Sequence, residues 1–250
     1  MSETKDYEKG GYRYIKGMFQ YSAGVAALPG YQIERVRFKK PLPIAEGFKA
    51  IETYLTSIGR PIEAFCACEL RSPAPFDDDG FRNFNRQYIQ PLEQWGIVKN
   101  DDNPIARSNV CPKVGAPDEP VFYAFSYTVP STNGSRGGFV IAGSAESPEG
   151  NSKYEEETVR CGEQTADAMQ EKAQFVLAEM ERRMNALDFS WDDSSATHVY
   201  SVYDIHPFLE EELVSRGAAK AGITWQFCRP PLDVLDYEMD VHGVHTERIV

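Results

Sequence analysis

The chain has 250 residues, a length that fits one large domain or two small ones. Its 26 basic and 38 acidic residues give a net charge of −12, which argues against a nucleic-acid-binding surface and against a polybasic membrane anchor. The hydrophobic share of 42% and the charged share of 26% are those of a folded globular protein.

The sequence also bears on targeting and on the state of the cysteines. No apolar run approaches the length of a membrane span, and the polar N-terminus (residues 1–14) contains no signal-peptide core. The five cysteines are an odd number without metal-type spacing, which is typical of reduced thiols. These features predict a cytoplasmic protein.

In the first half of the chain, a strand-like run ends at Gly24 and a proline follows five positions later. A helix is predicted next, since apolar residues recur every three or four positions until Gly59 ends the run: Ile44, Phe48, Ile51, Leu55 and Ile58. A strand (64–70), a second helix (81–95) and two closing strands (106–110 and 121–129) follow. The acidic turn at 77–80 is expected to cap the second helix.

The second half repeats this order after a Gly- and Ser-rich linker, 128–138. A strand reaches Gly143, again five residues before a proline. An apolar stripe from Ala166 to Leu187 predicts a helix, followed by a strand (196–203), a helix (207–216) and two strands (223–228 and 234–241). The repeat predicts an α+β fold of two tandem domains, 1–130 and 138–250, each a mixed β-sheet with two helices packed on one face.

Several motifs carry a resemblance to a known family. They are FVIAGSAESP (139–148), EQTADAM (163–169), HVYSVYDI (198–205) and YEMD (237–240) in the second half, and FNRQY (84–88) and PIARSNV (104–110) in the first. Together they resemble the RidA/YjgF imine-deaminase superfamily, with its chorismate-mutase-like fold. The resemblance extends over nearly the whole chain and occurs twice, once in each half. Within the superfamily, a double-length chain is most similar to the deaminases of aromatic-amine breakdown that act on 2-aminomuconate and its chlorinated analogue. Chorismatases, which are longer, also carry paired domains of this type.

The resemblance assigns a partial site to each half. The superfamily's carboxylate-binding arginine matches Arg107, and its closing-strand glutamate matches Glu238. The equivalent positions in the opposite halves fall near Ile223 and Phe122, so neither half carries both groups. Glu146 lies in a Gly-Ser-Ala-Glu turn where the superfamily usually has Gly-Gln.

The superfamily builds its sites between neighbouring domains of a trimeric ring, which implies a homotrimer or a multiple of it. One interface is expected to join Arg107 and Asn85 to the loop around Ser144 and Glu146. The other is expected to join Glu238 and Arg229 to the N-terminal region near Tyr14 and Ser22. The first keeps the arginine and is the one predicted to be catalytic.

The residue types suit deamination of an enamine dicarboxylate, with release of ammonia and a 2-oxo acid. Arg107 would hold a carboxylate, with Arg229, Arg71 and Arg86 as candidates for a second one. The candidate acid/base groups are Glu146 and Glu238, since a carboxyl in a closed pocket has a raised pKa. Asn85, Ser144 and Tyr14 are further candidates for substrate binding.

Structural roles for the same residues stay open from sequence alone. Arg107 could form an ion pair on a strand, Glu146 could be an exposed loop carboxylate, and Glu238 could be a paired strand residue. No metal or organic cofactor is expected, because the electrophile is in the substrate and the spacing of His242 and His245 fits no standard metal pair.

The expected partner is a small anionic substrate, with no nucleic acid and no membrane. Two alternatives remain: a broad 2-iminoacid hydrolase, and a ligand-binding or assembly module without catalysis. A dicarboxylate substrate predicts two arginines in one pocket, whereas a simple imino acid predicts one.

Overall fold

The computed structural model describes residues 2–132, 136–150 and 154–250, in a mixed α+β fold with two mixed sheets. The predicted linker falls partly outside the described residues, at 133–135. The strands of the described residues are β1 (Thr4–Tyr7), β2 (Tyr12–Ile15), β3 (Gly24–Ala27), β4 (Tyr31–Pro43), β5 (Phe65–Arg71), β6 (Ala106–Pro112), β7 (Val121–Pro130), β8 (Phe139–Ala145), β9 (Ala196–Tyr200), β10 (Ile223–Gln226), β11 (Cys228–Arg229), β12 (Glu238–Gly243) and β13 (Thr246–Ile249).

The helices follow the predicted positions closely. They are α1 (Ile44–Ser57), α2 (Asp78–Gln94), the short α3 (Tyr154–Glu157), α4 (Ala166–Ala186) and α5 (His206–Phe208), which continues as a π-helix over Leu209–Val214. The predicted cap of the second helix is confirmed, since the Asp77 side chain accepts a hydrogen bond from the Gly80 N–H at 2.7 Å. Thr165 caps α4 in the same way.

One sheet is built from strands of both halves of the chain, in the order β1-β2-β3-β8-β12-β9-β10. The N-terminal strands reach it because β3 pairs antiparallel with β8, Gly24 lying opposite Ile141. The predicted closing pair of the second half is separated, since β12 pairs with both β8 and β9 while β10 runs parallel to β9.

The other sheet has the order β11-β6-β5-β7-β4-β13, and it also receives strands from both halves. Strand β11 pairs with β6, and the C-terminal β13 runs parallel to β4. The exchange of edge strands means that the 130–138 boundary does not separate the two sheets. The division into domains 1–130 and 138–250 stays a prediction.

Helices cover each sheet with an apolar face. In the predicted stripe of α1, Phe48, Ile51 and Leu55 are buried, whereas Ile44 is partly buried and Ile58 is 42% exposed. Phe48 packs against Tyr88 of α2, Phe122 of β7 and Trp95. Helix α4 lies on β8 and β12 and buries its methionines in a second core. Among the described residues, no helix combines the length and the apolar character needed to cross a bilayer.

Candidate active site

A cavity with an empty volume of about 560 Å³ lies where β6 of one sheet meets β8 and β12 of the other. Segments distant in sequence form its wall: the turn before β3, the first turn of α2, the loop after β8 and the loop before β12. Its lining residues include Met18, Tyr21, Phe81, Arg107, Asn109, Gly143, Ser144, Glu149, Tyr154, Leu232, Leu235 and Glu238.

Arg107 is the buried cation of this cavity, with 3% of its surface exposed. Its guanidinium carbon lies 4.8 Å from the ring centre of Tyr88 and 5.3 Å from that of Tyr21. Its Nε and Nη1 have no hydrogen-bond partner within the described part of the chain. A buried arginine that lines a cavity and has unpaired nitrogens suits an anion with a planar, two-oxygen face.

Glu238 brings a carboxyl group to the same cavity. It is the first residue of β12 and is buried, with 3% of its surface exposed. Burial raises its pKa well above the usual value for glutamate, and the negative charge of Asp240 adds to this, while the charge of Arg107 opposes it. Glu238 therefore keeps its proton to a higher pH than an exposed glutamate does, which suits a proton donor.

Gly143 lets this carboxyl group approach β8. A Cβ atom at this position would lie 2.2 Å from Oε1 of Glu238 and 3.2 Å from Cα of Ser108. Any side chain here would displace the glutamate, so the absence of a side chain is what positions it.

The cavity unites residues that the sequence analysis assigned to two different interfaces. Arg107 and Ser144 were expected in one site and Glu238 in the other, yet all three line one cavity of a single chain. Tyr21, Asn109 and Glu149 were not predicted. Asn109 could have been found, because it follows Arg107 by two residues on a strand and so lies on the same face.

Glu146 lies outside this cavity and is fully buried. Its carboxylate accepts hydrogen bonds from the backbone N–H groups of Asp236 at 2.6 Å and Tyr237 at 3.1 Å, and it lies 3.5 Å from the Lys172 ammonium. Burial raises its pKa to about 7, against the effect of these donors. Its contacts tie the turn after β8 to the start of β12.

Two of the other candidate arginines make structural contacts. Arg229 donates to the Leu235 carbonyl at 2.7 Å and pairs with Asp236 at 3.3 Å. The guanidinium of Arg71 lies 4.1 Å from the ring centre of Tyr123, away from the cavity. Arg86, on α2, is exposed and lies 3.6 Å from an Asp101 oxygen.

The remaining candidates also lie away from the cavity lining. The Tyr14 hydroxyl donates to Asp102 at 3.0 Å. Ser22 is fully buried, and its hydroxyl donates to the Pro104 carbonyl at 3.2 Å. Asn85 is buried on α2, and its side-chain oxygen has no partner within the described ranges.

His242 and His245, which were not expected to form a metal pair, contact different groups. His245 contacts the Arg136 carbonyl, whereas His242 lies in the core beside Asp240, which also accepts hydrogen bonds from His198 at 2.8 Å and from the Tyr200 hydroxyl. Potential ligand atoms of His198, Asp240 and His242 lie within 4.8 Å of one another. The alternation of β12, which puts Asp240 and His242 on one face opposite His198, is the sequence signal for this cluster.

Comparison with known proteins identifies the family. The family model described as 2-aminomuconate deaminase CnbZ matches residues 4–248. A 2-amino-5-chloromuconate deaminase from Comamonas testosteroni is 45% identical over 251 residues, covering all of both chains. The chain belongs to the CnbZ family. The members of this family are deaminases, which are enzymes that act on C–N bonds.

The fold also has a solved relative. A chorismatase structure matches with a TM-score of 0.54 at 15% identity, covering 92% of this chain and 79% of that chain. At this identity the likeness concerns the fold alone, and it agrees with the mixed α+β architecture.

Proposed function

We propose that the chain is a cofactor-independent hydrolytic deaminase of an enamine dicarboxylate of the 2-aminomuconate type. One observation carries the proposal: Arg107, whose Nε and Nη1 have no hydrogen-bond partner among the described residues, and Glu238, whose pKa is raised by burial, line the same cavity. The first group suits a substrate carboxylate and the second suits proton transfer to carbon. The substrate named for the 45% identical relative supports the same class.

The proposed reaction begins with binding of the substrate carboxylate next to the C–N bond by Arg107. Glu238 then donates its proton to the enamine carbon, and the C=C electron pair forms the new C–H bond while the nitrogen lone pair forms an iminium C=N bond. The positive charge makes the former amine carbon electrophilic without a cofactor.

Hydrolysis completes the reaction. The Glu238 carboxylate takes a proton from water as the water oxygen attacks the iminium carbon, giving a carbinolamine. Proton transfer to nitrogen and expulsion of ammonia leave the C=O bond of a 2-oxo acid. One water is consumed and one ammonia released, and Glu238 serves first as acid and then as base.

Ammonia release from freshly generated 2-aminomuconate, followed together with loss of its ultraviolet absorbance, tests this proposal. We expect the wild-type chain to accelerate release and Glu238→Gln to lose about 10²–10⁴-fold in kcat. The matched control is Glu146→Gln, a buried glutamate outside the cavity, which is expected to keep kcat.

Other outcomes would favour the alternative functions. Equal kcat/KM on simple 2-imino acids and on the dicarboxylate would indicate a broad 2-iminoacid hydrolase. Ligand binding that Arg107→Ala weakens, without turnover in the wild type, would indicate a binding module. If Glu146 transferred the proton instead, Glu146→Gln would lose kcat and Glu238→Gln would keep it.

We further propose that the protein is a homotrimer located in the cytoplasm. Its partner is a small anionic substrate, and it binds no nucleic acid. Because Arg107 and Glu238 belong to the same chain, the proposed chemistry does not require a neighbouring subunit. Light scattering at micromolar concentration tests the trimer, and a monomer would remove it from the proposal.

A further inference from the structure

Arg183 of α4 is a second buried arginine, and it lies directly behind the wall of the cavity. Its side chain is 0% exposed. Its Nη1 donates to the Ala142 carbonyl at 3.1 Å, and its Nη2 donates to the Ser144 hydroxyl at 2.9 Å and to Glu149 Oε1 at 2.8 Å. Ser144 and Glu149 both line the cavity, so this guanidinium contacts the cavity wall through their side chains.

Glu149 has the properties of an exchangeable carboxylate. Its side chain is 24% exposed, whereas the guanidinium that it contacts is completely buried. A partly exposed glutamate in a loop can turn into water at a modest cost, since water then solvates its charge. The buried arginine cannot do the same: it keeps Glu179, 3.6 Å from its Nε, but its Nη2 loses its carboxylate partner, so a replacement anion there is favoured.

Two cations are thus close to this cavity, one in its lining and one behind it. Arg107 lines the cavity itself, and the Arg183 guanidinium is joined to its wall through Ser144 and Glu149. A ligand with two negative ends would contact Arg107 directly and reach Arg183 once Glu149 turns aside.

We propose that Arg183 is the binding site for the second carboxylate of a dicarboxylate ligand, and that Glu149 occupies this site until the ligand displaces it. The inference rests on the proposed function and specifies its substrate class. The exchange preserves the ion pair, because one carboxylate replaces another. A ligand with a methyl group at that end cannot replace Glu149, so the subsite selects dicarboxylates over monocarboxylates.

A matched pair of ligands tests the subsite without turnover. trans,trans-Muconate and sorbate share a six-carbon diene, and sorbate has a methyl group in place of the second carboxylate. We expect the wild-type chain to bind muconate about 10- to 100-fold more tightly than sorbate in calorimetric titrations, the range for one charge-assisted contact. Arg183→Met is expected to remove that preference and to leave sorbate binding unchanged.

Glu149→Gln gives the sharper result, because it removes the competing charge and keeps the shape of the side chain. It is expected to tighten muconate binding by several-fold and to leave sorbate binding unchanged. The control is Glu179→Gln, which removes a carboxylate 3.6 Å from Nε of the same arginine but outside the cavity lining. This variant is expected to bind both ligands as the wild type does.

Several results would overturn the inference. These are equal wild-type affinity for the two ligands, absence of muconate binding at millimolar concentration, and weaker or unchanged muconate binding in Glu149→Gln. If Arg183→Met does not fold, the two glutamate variants decide the question. If the wild type releases ammonia but Glu149→Gln binds muconate as the wild type does, only the subsite is rejected. If Glu149→Gln changes muconate binding but the wild type releases no ammonia, only the proposed reaction is rejected.

Discussion

Arg107→Met is expected to abolish activity without destabilising the chain, which is an unusual combination for a buried residue. Methionine has nearly the length of the arginine stem and carries no charge, so it keeps the packing against Tyr88 and removes the guanidinium. The two effects have separate physical origins and can be measured on one variant.

The loss of activity follows from the hydrogen bonds that Arg107 offers. Each hydrogen bond to a charged group contributes about 1.5–3 kcal/mol. Two such bonds to a substrate carboxylate amount to about 3–6 kcal/mol, which corresponds to a loss of about 10²–10⁴-fold in kcat/KM. A loss within this range, measured by ammonia release, would fit a bidentate contact.

The effect on stability is small because two opposing contributions nearly cancel. The unpaired Nε and Nη1 each cost about 1–3 kcal/mol as buried donors. Removal of the charge gives up cation–π contacts with the rings of Tyr88, Tyr21, Phe84 and Phe81, whose centres lie at 4.8, 5.3, 5.8 and 5.9 Å, of about 0.5–2 kcal/mol each. The Tm of Arg107→Met is therefore expected to lie within a few degrees of that of the wild type.

Arg183→Met is the matched control for the thermal measurement. Arg183 is equally buried, but its guanidinium makes three hydrogen bonds, and its loss would strand the groups that accept them. We expect a cost of about 3–5 kcal/mol, as for breaking a buried ion pair, or a Tm lower by about 6 °C or more. If Arg107→Met lowered the Tm as much as Arg183→Met does, Arg107 would be a structural residue and the reasoning would fail.

Three further predictions concern the carboxyl groups and the glycine beside them. Because the pKa of Glu238 is raised well above its usual value, kcat should stay level through pH 4.5 and fall only at a pH well above it; a fall centred near pH 4.5 in a stopped-flow pH profile would contradict this. Gly143→Ala should lower kcat at least tenfold with little change in far-ultraviolet circular dichroism, since its Cβ would lie 2.2 Å from Glu238 Oε1; unchanged kcat would mean that the carboxyl position is unimportant. Burial raises the pKa of Glu146 to about 7 in the folded chain, so the unfolded chain releases this proton more readily, and stability should decrease by up to about 3 kcal/mol as pH rises from 4.5 to 7. Urea unfolding across that range should show a flatter dependence on pH for Glu146→Gln, and parallel curves for the two proteins would refute the assignment.

The secondary structure was largely readable from the sequence because its causes are local. The stripe from Ile44 to Leu55 predicted α1, and Gly59, with a φ of 69°, lies just beyond its end. Asp77 predicted the cap of α2 for the same reason, since an N-cap contact spans three residues. The polar residues of the 106–110 strand also marked Arg107 as a candidate.

The pairing of strands depended on contacts that local patterns do not encode. Strand β3 begins at Gly24, where the predicted strand was expected to end, and strands β1–β3 extend the sheet of the second half through β3 and β8. The alternation of polar and apolar residues determines which face of a strand is buried, but several edges can accept that strand. The separation of β10 from β12 has the same origin.

The sequence by itself marked Arg107, Glu146 and Glu238 as the residues to consider, because they lie in the motifs that resemble the RidA/YjgF superfamily. It did not distinguish the two glutamates. Tertiary structure does so, because Glu146 accepts two backbone N–H groups beside Lys172, whereas Glu238 lines the cavity with Arg107. The environment of a buried carboxyl group comes from strands and loops far apart in sequence, and only their packing decides which group is free to react.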